Sequence, residues 1–156
     1  MPSQTLVTYK TIVTPTITLT SLASGAGRIC AVVDNTTTRA PAAQVYLRAT
    51  TGGTAPTAST PIKLYLIRRS NDGTTDLADS NLGTADAAVA TEPTNAEQVG
   101  SIIVTNATNT TYIKSFLVYD LSAKYSFVVW NATGQALNAT ASNFTFQIVP
   151  VVMEAQ

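Results

Sequence analysis

The sequence predicts an all-β protein, a single antiparallel β-sandwich of jelly-roll-like form with about eight strands and one long acidic loop. Apolar and polar residues alternate with period two in most segments, which is typical of strands that bury one face. Turn-forming clusters of Gly, Asn, Asp and Ser separate these segments, and helical periodicity is weak. Short strands spaced in this way along 156 residues are typical of a sandwich or a barrel.

Residues 1–22 are predicted to be an N-terminal arm or edge strand, and residues 23–156 to be the sandwich domain. Within the first unit, Thr5–Lys10 and Thr16–Leu22 have strand-like patterns. Pro15 lies between them, and proline cannot donate to a strand ladder, which favours an edge position or an extended arm. An arm of this kind either closes the sheet of its own subunit or crosses to a neighbour, and the residues leave both alternatives open.

The sandwich domain begins with the candidate strand Arg28–Asp34, which contains the single cysteine, Cys30. The apolar neighbours of Cys30 predict a buried structural thiol. The clearest alternation follows in residues 62–69, where Ile62, Leu64 and Leu66 share one face of the predicted strand. Further segments with period-two alternation are residues 44–48, 98–105, 113–120, 125–130 and 144–148. The Ala-rich residues 78–97 predict either a short helix around Asp86–Thr91 or a long irregular excursion.

Charged side chains are scarce and unevenly distributed. They make up 12% of the chain, against ~25% in an average globular domain. Residues 70–100 hold six acidic and no basic residues and so carry −6, while the remaining three acidic and nine basic residues carry +6. Either the acidic loop folds back on its own basic strands, or it meets basic residues of a neighbouring subunit. The candidates for the second case are Arg39, Arg48, Arg68 and Arg69.

The composition argues against most functions that depend on chemistry. There is no histidine, the side chain that titrates near neutral pH and most often ligates metals. No nucleophile, phosphate-binding or metal-ligand motif is present, and Asp72, Asp76 and Asp79 do not match the spacing of a calcium loop. We therefore expect no enzyme activity, no cofactor and no metal.

The charge and hydropathy patterns also exclude some partners. A formal net charge of zero provides no electrostatic attraction to nucleic acid. We expect no membrane span and no secretory signal, since no apolar run approaches ~18 residues and the chain does not start with a basic segment followed by an apolar one. Weak surface charge favours self-association.

Trp130 is the aromatic residue with the most open interpretation. It ends the apolar run Ser126–Trp130, beside the turn at residues 131–134. A tryptophan at the edge of a sandwich contacts a sugar, a neighbouring subunit or the rim of the core.

Two stretches resemble small structural proteins of tailed-phage virions. Thr60–Asp76 resembles a strand and acidic turn of those proteins, and Tyr125–Leu137 with Ser142–Val151 resembles their final strands, joined through an Asn-x-Thr-Gly turn. The resemblance covers about half of the chain, and the acidic excursion at residues 70–100 departs from it. It implies a β-sandwich that decorates a capsid, often as a trimer at a symmetry axis, with no catalytic residues.

From these observations we expect a non-enzymatic virion structural protein, made in the host cytoplasm, that stabilises a capsid by binding its major capsid protein and other copies of itself. The expected contact surfaces are the arm, Thr5–Leu19, and the acidic loop, Asp72–Glu97. The predicted interface residues are Arg68, Arg69, Asp72, Asp76, Asp79 and Trp130. The alternatives are a tail or neck component of the virion, and a lectin-like or adhesin module that binds cell-surface glycan through Trp130.

Overall fold

Two antiparallel sheets pack face to face in the computed structural model, which describes residues 5–71, 76–77 and 82–155. The predicted β-sandwich is confirmed. Eight strands have four or more residues: β1 (Thr5–Tyr9), β2 (Ala26–Ile29), β4 (Ala42–Thr50), β5 (Pro61–Asn71), β8 (Glu97–Ile103), β9 (Thr111–Tyr119), β10 (Lys124–Asn131) and β11 (Thr145–Ala155). The shorter elements are β3 (Val33–Asp34), β6 (Asp76–Leu77), β7 (Ala87–Val89) and a 3₁₀ turn at Ala141–Asn143.

The four-stranded sheet has the order β1-β11-β4-β9, so β1 lies at an edge and pairs with β11 of its own chain. The seven-stranded sheet has the order β6-β5-β10-β2-β7, with β8 also paired to β5 and β3 to β10. The chain crosses between the sheets after β1, β3, β4, β8, β9 and β10. Sequence neighbours therefore often lie in opposite layers. The predicted division at residue 22 stays a prediction.

The core lies between the inner faces of the two sheets, as the alternation predicts. Val45 and Leu47 of β4 face Leu64 of β5 and Phe127 of β10, and all four are fully buried. Fully burying such a side chain contributes roughly 1.5–3 kcal/mol. Cys30 is buried among them, and this burial raises the pKa of its thiol to about 12. The prediction of a buried structural cysteine is confirmed.

Two predicted strands near the N-terminus are wrong in their extent. Thr16–Leu22 forms no strand, because its isolated backbone hydrogen bonds run to several segments: Ala31 N–H donates to Thr16 O and Leu137 N–H to Leu22 O. The candidate Arg28–Asp34 divides into β2 and β3. The reason is that the N–H groups of residues 31 and 32 bond to Thr16 and Thr84 rather than to β10.

The Ala-rich excursion contains a strand where a helix was one of two expectations. Residues 82–96 include β7, which pairs with the edge of β2 through Gly27, Arg28 and Ile29. The helix is wrong for this segment, because the unpaired edge of β2 offers its backbone groups to an extended chain. The excursion thus becomes part of the seven-stranded sheet.

Candidate interaction surface on the four-stranded sheet

The outer face of the seven-stranded sheet is covered by its own chain. Residues 82–96, called here the cover segment, place Leu82 and Val89 over Ile67, Val128 and Trp130. These apolar side chains form a second buried cluster outside the main core. The cover segment therefore buries Ile67, Val128 and Trp130 within the chain.

Close packing within this cluster depends on a glycine. A Cβ atom at Gly27 would lie 2.7 Å from Cε3 of Trp130, well inside van der Waals contact. The absent side chain leaves room for the indole ring beside Gly27, and Trp130 is 6% exposed. The ring belongs to the buried cluster and does not form an exposed platform for a sugar.

The first ion pair between the cover segment and the sandwich joins Asp86 and Arg28. Arg28 Nε lies 2.5 Å from Asp86 Oδ1, and the hydroxyl of Thr18 donates to Oδ2 at 2.5 Å. Burial alone would raise the pKa of Asp86, but the hydrogen bonds from Arg28 and Thr18 outweigh it, so the pKa is lowered. The carboxylate is thereby held in its charged form.

Two further carboxylates of the acidic region pair with side chains of β5, Glu92 on its outer face and Glu97 on the face that carries Leu64 and Leu66. Lys63 Nζ donates to Glu92 Oε1 at 2.6 Å, and the hydroxyl of Tyr65 donates to the same oxygen. Lys63 and Tyr65 together lower the pKa of Glu92. Glu97 accepts a hydrogen bond from Arg68 Nη2 at 2.6 Å. Three of the six acidic residues of the loop therefore pair with bases of their own chain.

The two predicted interface arginines are held within the chain. Arg68 binds Glu97 and also donates through Nε to the carbonyl oxygen of Asp120 at 2.7 Å. Arg69 is 3% exposed, and its guanidinium donates to Ser126 Oγ at 3.0 Å and to the carbonyl oxygen of Gly83. Arg69 is thus buried beneath the end of the cover segment, out of reach of a second subunit in this conformation.

The three predicted acidic interface residues lie wholly or partly outside the described residues. Asp76 lies in β6, opposite Asn71 of β5, and its side chain is outside the described residues. Asp72 and Asp79 also lie outside the described residues. Their role at an interface stays a prediction.

The outer face of the four-stranded sheet has the opposite character. At the outward positions of its strands, large exposed apolar side chains stand among uncharged polar ones such as Gln44, Ser115 and Gln147. Ile113 is 72% exposed, Met153 65%, Tyr9 63% and Tyr119 62%. This surface, called here the open face, consists of Val7, Tyr9, Ala42, Tyr46, Ile113, Leu117, Tyr119, Val149, Val151 and Met153.

Strand register assembles the open face from distant parts of the chain. One row across the sheet reads Tyr9, Val151, Ala42, Tyr119, with Val151 and Ala42 buried between the two exposed tyrosines. The next row inward runs across β11, β4 and β9 and contains Val149, Gln44 and Leu117. The first row lies at the end of the sheet where β4 begins and β9 ends, and the middle row places the polar Ser115 and Gln147 on either side of Tyr46.

Charge is nearly missing from these positions. Arg48 is the one charged residue at the outward positions of β1, β4, β9 and β11, and its guanidinium donates to the carbonyl oxygen of Ser142 at 3.3 Å. An ion pair between Lys10 and Glu154 lies beside the margin of the face. Exposed aromatic and aliphatic side chains with few charges are typical of protein–protein interfaces, from which charged residues are depleted.

A signal for the open face was present in the sequence. The strand at residues 113–120 is apolar on both sides, with Phe116 and Val118 on one and Ile113, Leu117 and Tyr119 on the other. Strands with two apolar faces are typical of positions covered on both sides. Only Phe116 and Val118 are covered here.

A cavity lies at the end of the sandwich where β3 leads into β4. Its volume is about 590 Å³, and it is lined by Asn35, Thr36, Arg39, Ala40, Pro41, Leu121 and Ala123, so its one charged group is a guanidinium. Across the described ranges, no three Cys, Asp or Glu side chains come close enough to hold a metal ion. In the same ranges no helix is long and apolar enough to cross a membrane.

Comparison of the chain with protein-family models, with curated proteins and with solved structures finds no match.

Proposed function

We propose that this protein is a non-enzymatic structural component of a virion, a capsid decoration protein that acts by binding to protein surfaces. The observation that carries the proposal is the open face. Soluble monomers rarely expose one contiguous apolar patch larger than ~300–600 Å² unless it binds something. A sheet face that combines this exposure with a near absence of charge is suited to permanent packing against protein.

The rest of the molecule is consistent with a part that is built to be rigid. Its core spans both sheets, and the second cluster adds a buried layer under the cover segment. A decoration protein stabilises a shell by mass action, because it binds the assembled lattice better than the free subunits. A pre-formed, rigid surface lowers the entropy that is lost on binding.

The glycan-binding alternative loses its principal residue. Trp130 is packed under the cover segment, and the described residues give no exposed tryptophan in its place. A tail or neck location belongs to the same structural class, and the open face suits it equally well.

Immunogold labelling tests the proposal. An antibody raised against the recombinant protein should label particles purified from cultures that express the gene, and the gold should lie on the heads. Label on tails would assign the protein to the tail or neck. Purified particles that lack the protein altogether would overturn the virion function.

Deletion of the gene tests the stabilising role. Particles assembled without the protein should release their nucleic acid at a lower temperature than complete particles, and added protein should restore the original temperature. Equal release temperatures would remove the stabilising role even if the protein is present.

A further inference from the structure

We infer that the cavity between the β3–β4 and β9–β10 connections binds a peptide carboxylate that is attached to an apolar body, and that Arg39 is the residue that binds it. The carboxylate belongs either to an acidic side chain or to a chain end, because both present the same two oxygens. The inference concerns this cavity and not the open face, so it does not rest on the proposed function.

The cavity has the size and the walls of a ligand site. Its volume of about 590 Å³ lies within the range of about 300–1,000 Å³ that small-ligand sites commonly have. Such sites combine apolar walls with a few polar groups that orient the ligand. The apolar residues of this wall are Ala40, Pro41, Leu121 and Ala123.

A buried asparagine holds the two connecting segments together. Asn35 is 5% exposed, and its Nδ2 donates to the carbonyl oxygens of Ala40 at 3.0 Å and Ser122 at 3.2 Å. The N–H of Ala40 donates to Asn35 Oδ1 at 2.9 Å, and the N–H of Asn35 donates to the carbonyl oxygen of Ala123 at 2.8 Å. The walls are therefore formed before a ligand arrives, which lowers the entropy lost on binding.

The backbone of Arg39 is in the left-handed region, with φ at 50°. This conformation is unfavourable for a residue that carries a Cβ atom, and glycine adopts it most readily. The N–H of Arg39 donates to the carbonyl oxygen of Asn35 at 2.7 Å, so the turn imposes the conformation. Strained positions of this kind cluster at binding sites. An arginine where a glycine would fit better points to a use for its side chain.

The guanidinium of Arg39 lies beside the cavity with its outer nitrogens available. Its Nε donates to the carbonyl oxygen of Thr36 at 3.3 Å, and Thr36 is itself a wall residue. Within the described ranges, neither Nη atom of Arg39 has a hydrogen-bond partner. Two free Nη groups can donate a pair of parallel hydrogen bonds to one carboxylate.

Two of the carboxylates near Arg39 are already paired with bases. Glu154 lines a second cavity on another side of Arg39, and it forms an ion pair with Lys10. Asp120, one residue before the cavity wall, has its Oδ2 atom 3.5 Å from Arg68 Nε. Neither carboxylate is an ion-pair partner of Arg39.

The third nearby carboxylate, Asp34, is held by its own turn. Its Oδ1 accepts hydrogen bonds from the N–H of Thr36 at 2.8 Å and from the Thr36 hydroxyl at 2.5 Å. Lys124 lies opposite Asp34 in the pairing of β3 with β10, and its charge offsets that of Asp34. Arg39 therefore gives the cavity a single positive group among apolar walls, which suits a monoanion with an apolar body.

Peptide binding, followed in proton–nitrogen correlation NMR spectra of the whole protein, tests the inference. We expect acetyl-Leu-Glu-amide to shift the amide signals of residues 35–40 and 121–123. Acetyl-Leu-Gln-amide differs from it only by the missing charge and should bind at least tenfold more weakly. Acetyl-Gly-Leu with a free carboxyl end tests the second source of the carboxylate, and the tighter of the two acids identifies the source.

Two results with these probes would overturn the inference. One is that neither acid shifts the signals of the cavity. The other is that inorganic phosphate shifts the same signals at the same concentration as the better acid, since the apolar walls would then contribute nothing.

A matched pair of arginine substitutions locates the site. Arg39 and Arg48 each donate one hydrogen bond of 3.3 Å to a backbone carbonyl oxygen, but Arg48 lies on β4 outside the cavity. Arg39→Gln should weaken binding of the acid at least tenfold, and Arg48→Gln should leave it unchanged. Equal binding by the two variants would remove Arg39 from the site.

Arg39→Gly separates a binding role from a structural one. Glycine relieves the left-handed backbone, so the melting temperature should equal or exceed that of the parent, while binding of the acid is lost. A lower melting temperature would mean that the arginine serves the turn, and would overturn its assignment to a ligand. Full binding by this variant would overturn the role of the guanidinium.

Discussion

The two sheets of this sandwich differ most in what lies on their outer faces. The seven-stranded sheet carries Ile67 and Trp130 under the cover segment, and the ion pairs Arg28–Asp86 and Lys63–Glu92 hold that segment in place. The four-stranded sheet carries Ile113 and Leu117 in solvent. Both outer faces carry large apolar side chains, but the described part of the chain covers only those of the seven-stranded sheet. An apolar outer face therefore indicates a covering layer without indicating which molecule provides it.

The largest effect that separates the two faces should come from a matched pair of isoleucines. Ile67→Ala, at a side chain 3% exposed, should lower the free energy of unfolding by about 2–5 kcal/mol, because it leaves a cavity beneath the cover segment. Ile113→Ala, at a side chain 72% exposed, should lower it in the monomer by at most about 1 kcal/mol, the span of strand propensity.

Chemical denaturation, followed by Trp130 fluorescence at low protein concentration, measures both values. A large loss for Ile113→Ala under these conditions would mean that the open face is covered within the monomer. An increase in that loss with protein concentration would instead link Ile113 to self-association of the chain.

Acid should affect the covered face first. The pKa values of Asp86 and Glu92 are lowered in the folded protein, so their pairs contribute stability that is present above the ordinary carboxyl range. This contribution is lost as the pH falls below about 4 and passes through the lowered values. Trp130 is the single tryptophan, so its emission should shift to the red as the cover segment loosens.

Titration of the double variant Asp86→Asn/Glu92→Gln provides the comparison. The unfolding free energy of this variant should depend less steeply on pH between neutral and acid conditions than that of the parent. Equal slopes for the two proteins would show that these carboxylates do not cause the acid sensitivity.

The smallest effect should come from single carboxylates on the two sides of the molecule. Glu92→Gln removes the charge that Lys63 and Tyr65 bind, and should cost about 0.5–1 kcal/mol, since both ends of this pair are partly exposed and screened. Glu154→Gln removes the more exposed partner of Lys10 and should not change thermal stability measurably. Equal losses in the two variants would indicate that the cover segment does not depend on its ion pairs.

The sequence predicted some strands and charge contacts correctly and others wrongly. Period-two alternation correctly separated Ile62, Leu64 and Leu66 from the other face of β5, because burial between two sheets requires that spacing. The strand at Thr16–Leu22 was wrong, because pattern alone cannot tell whether a neighbouring ladder accepts the segment. One alternative for the acidic loop was that it folds back on basic residues of its own chain. This is confirmed for three carboxylates, because Asp86, Glu92 and Glu97 form ion pairs within the chain.

The burial of two predicted interface residues could not be predicted from the sequence. Arginine and tryptophan are residue types that often bind at protein interfaces. Arg69 and Trp130 are nevertheless buried, because the cover segment packs over β5 and β10 from a distant part of the sequence. The open face was missed for the same reason. Tyr9, Ala42, Tyr119 and Val151 become neighbours only through strand register.

The sequence by itself determined the fold class, the inner faces of the main strands and the buried state of Cys30. These features depend on local alternation and on the cost of exposing apolar side chains, both of which can be read along the chain. Only the tertiary structure decided which of two apolar outer faces is covered, and by which residues. That outcome depends on contacts between segments far apart in sequence, and on backbone hydrogen bonds that an edge strand accepts from whichever segment reaches it.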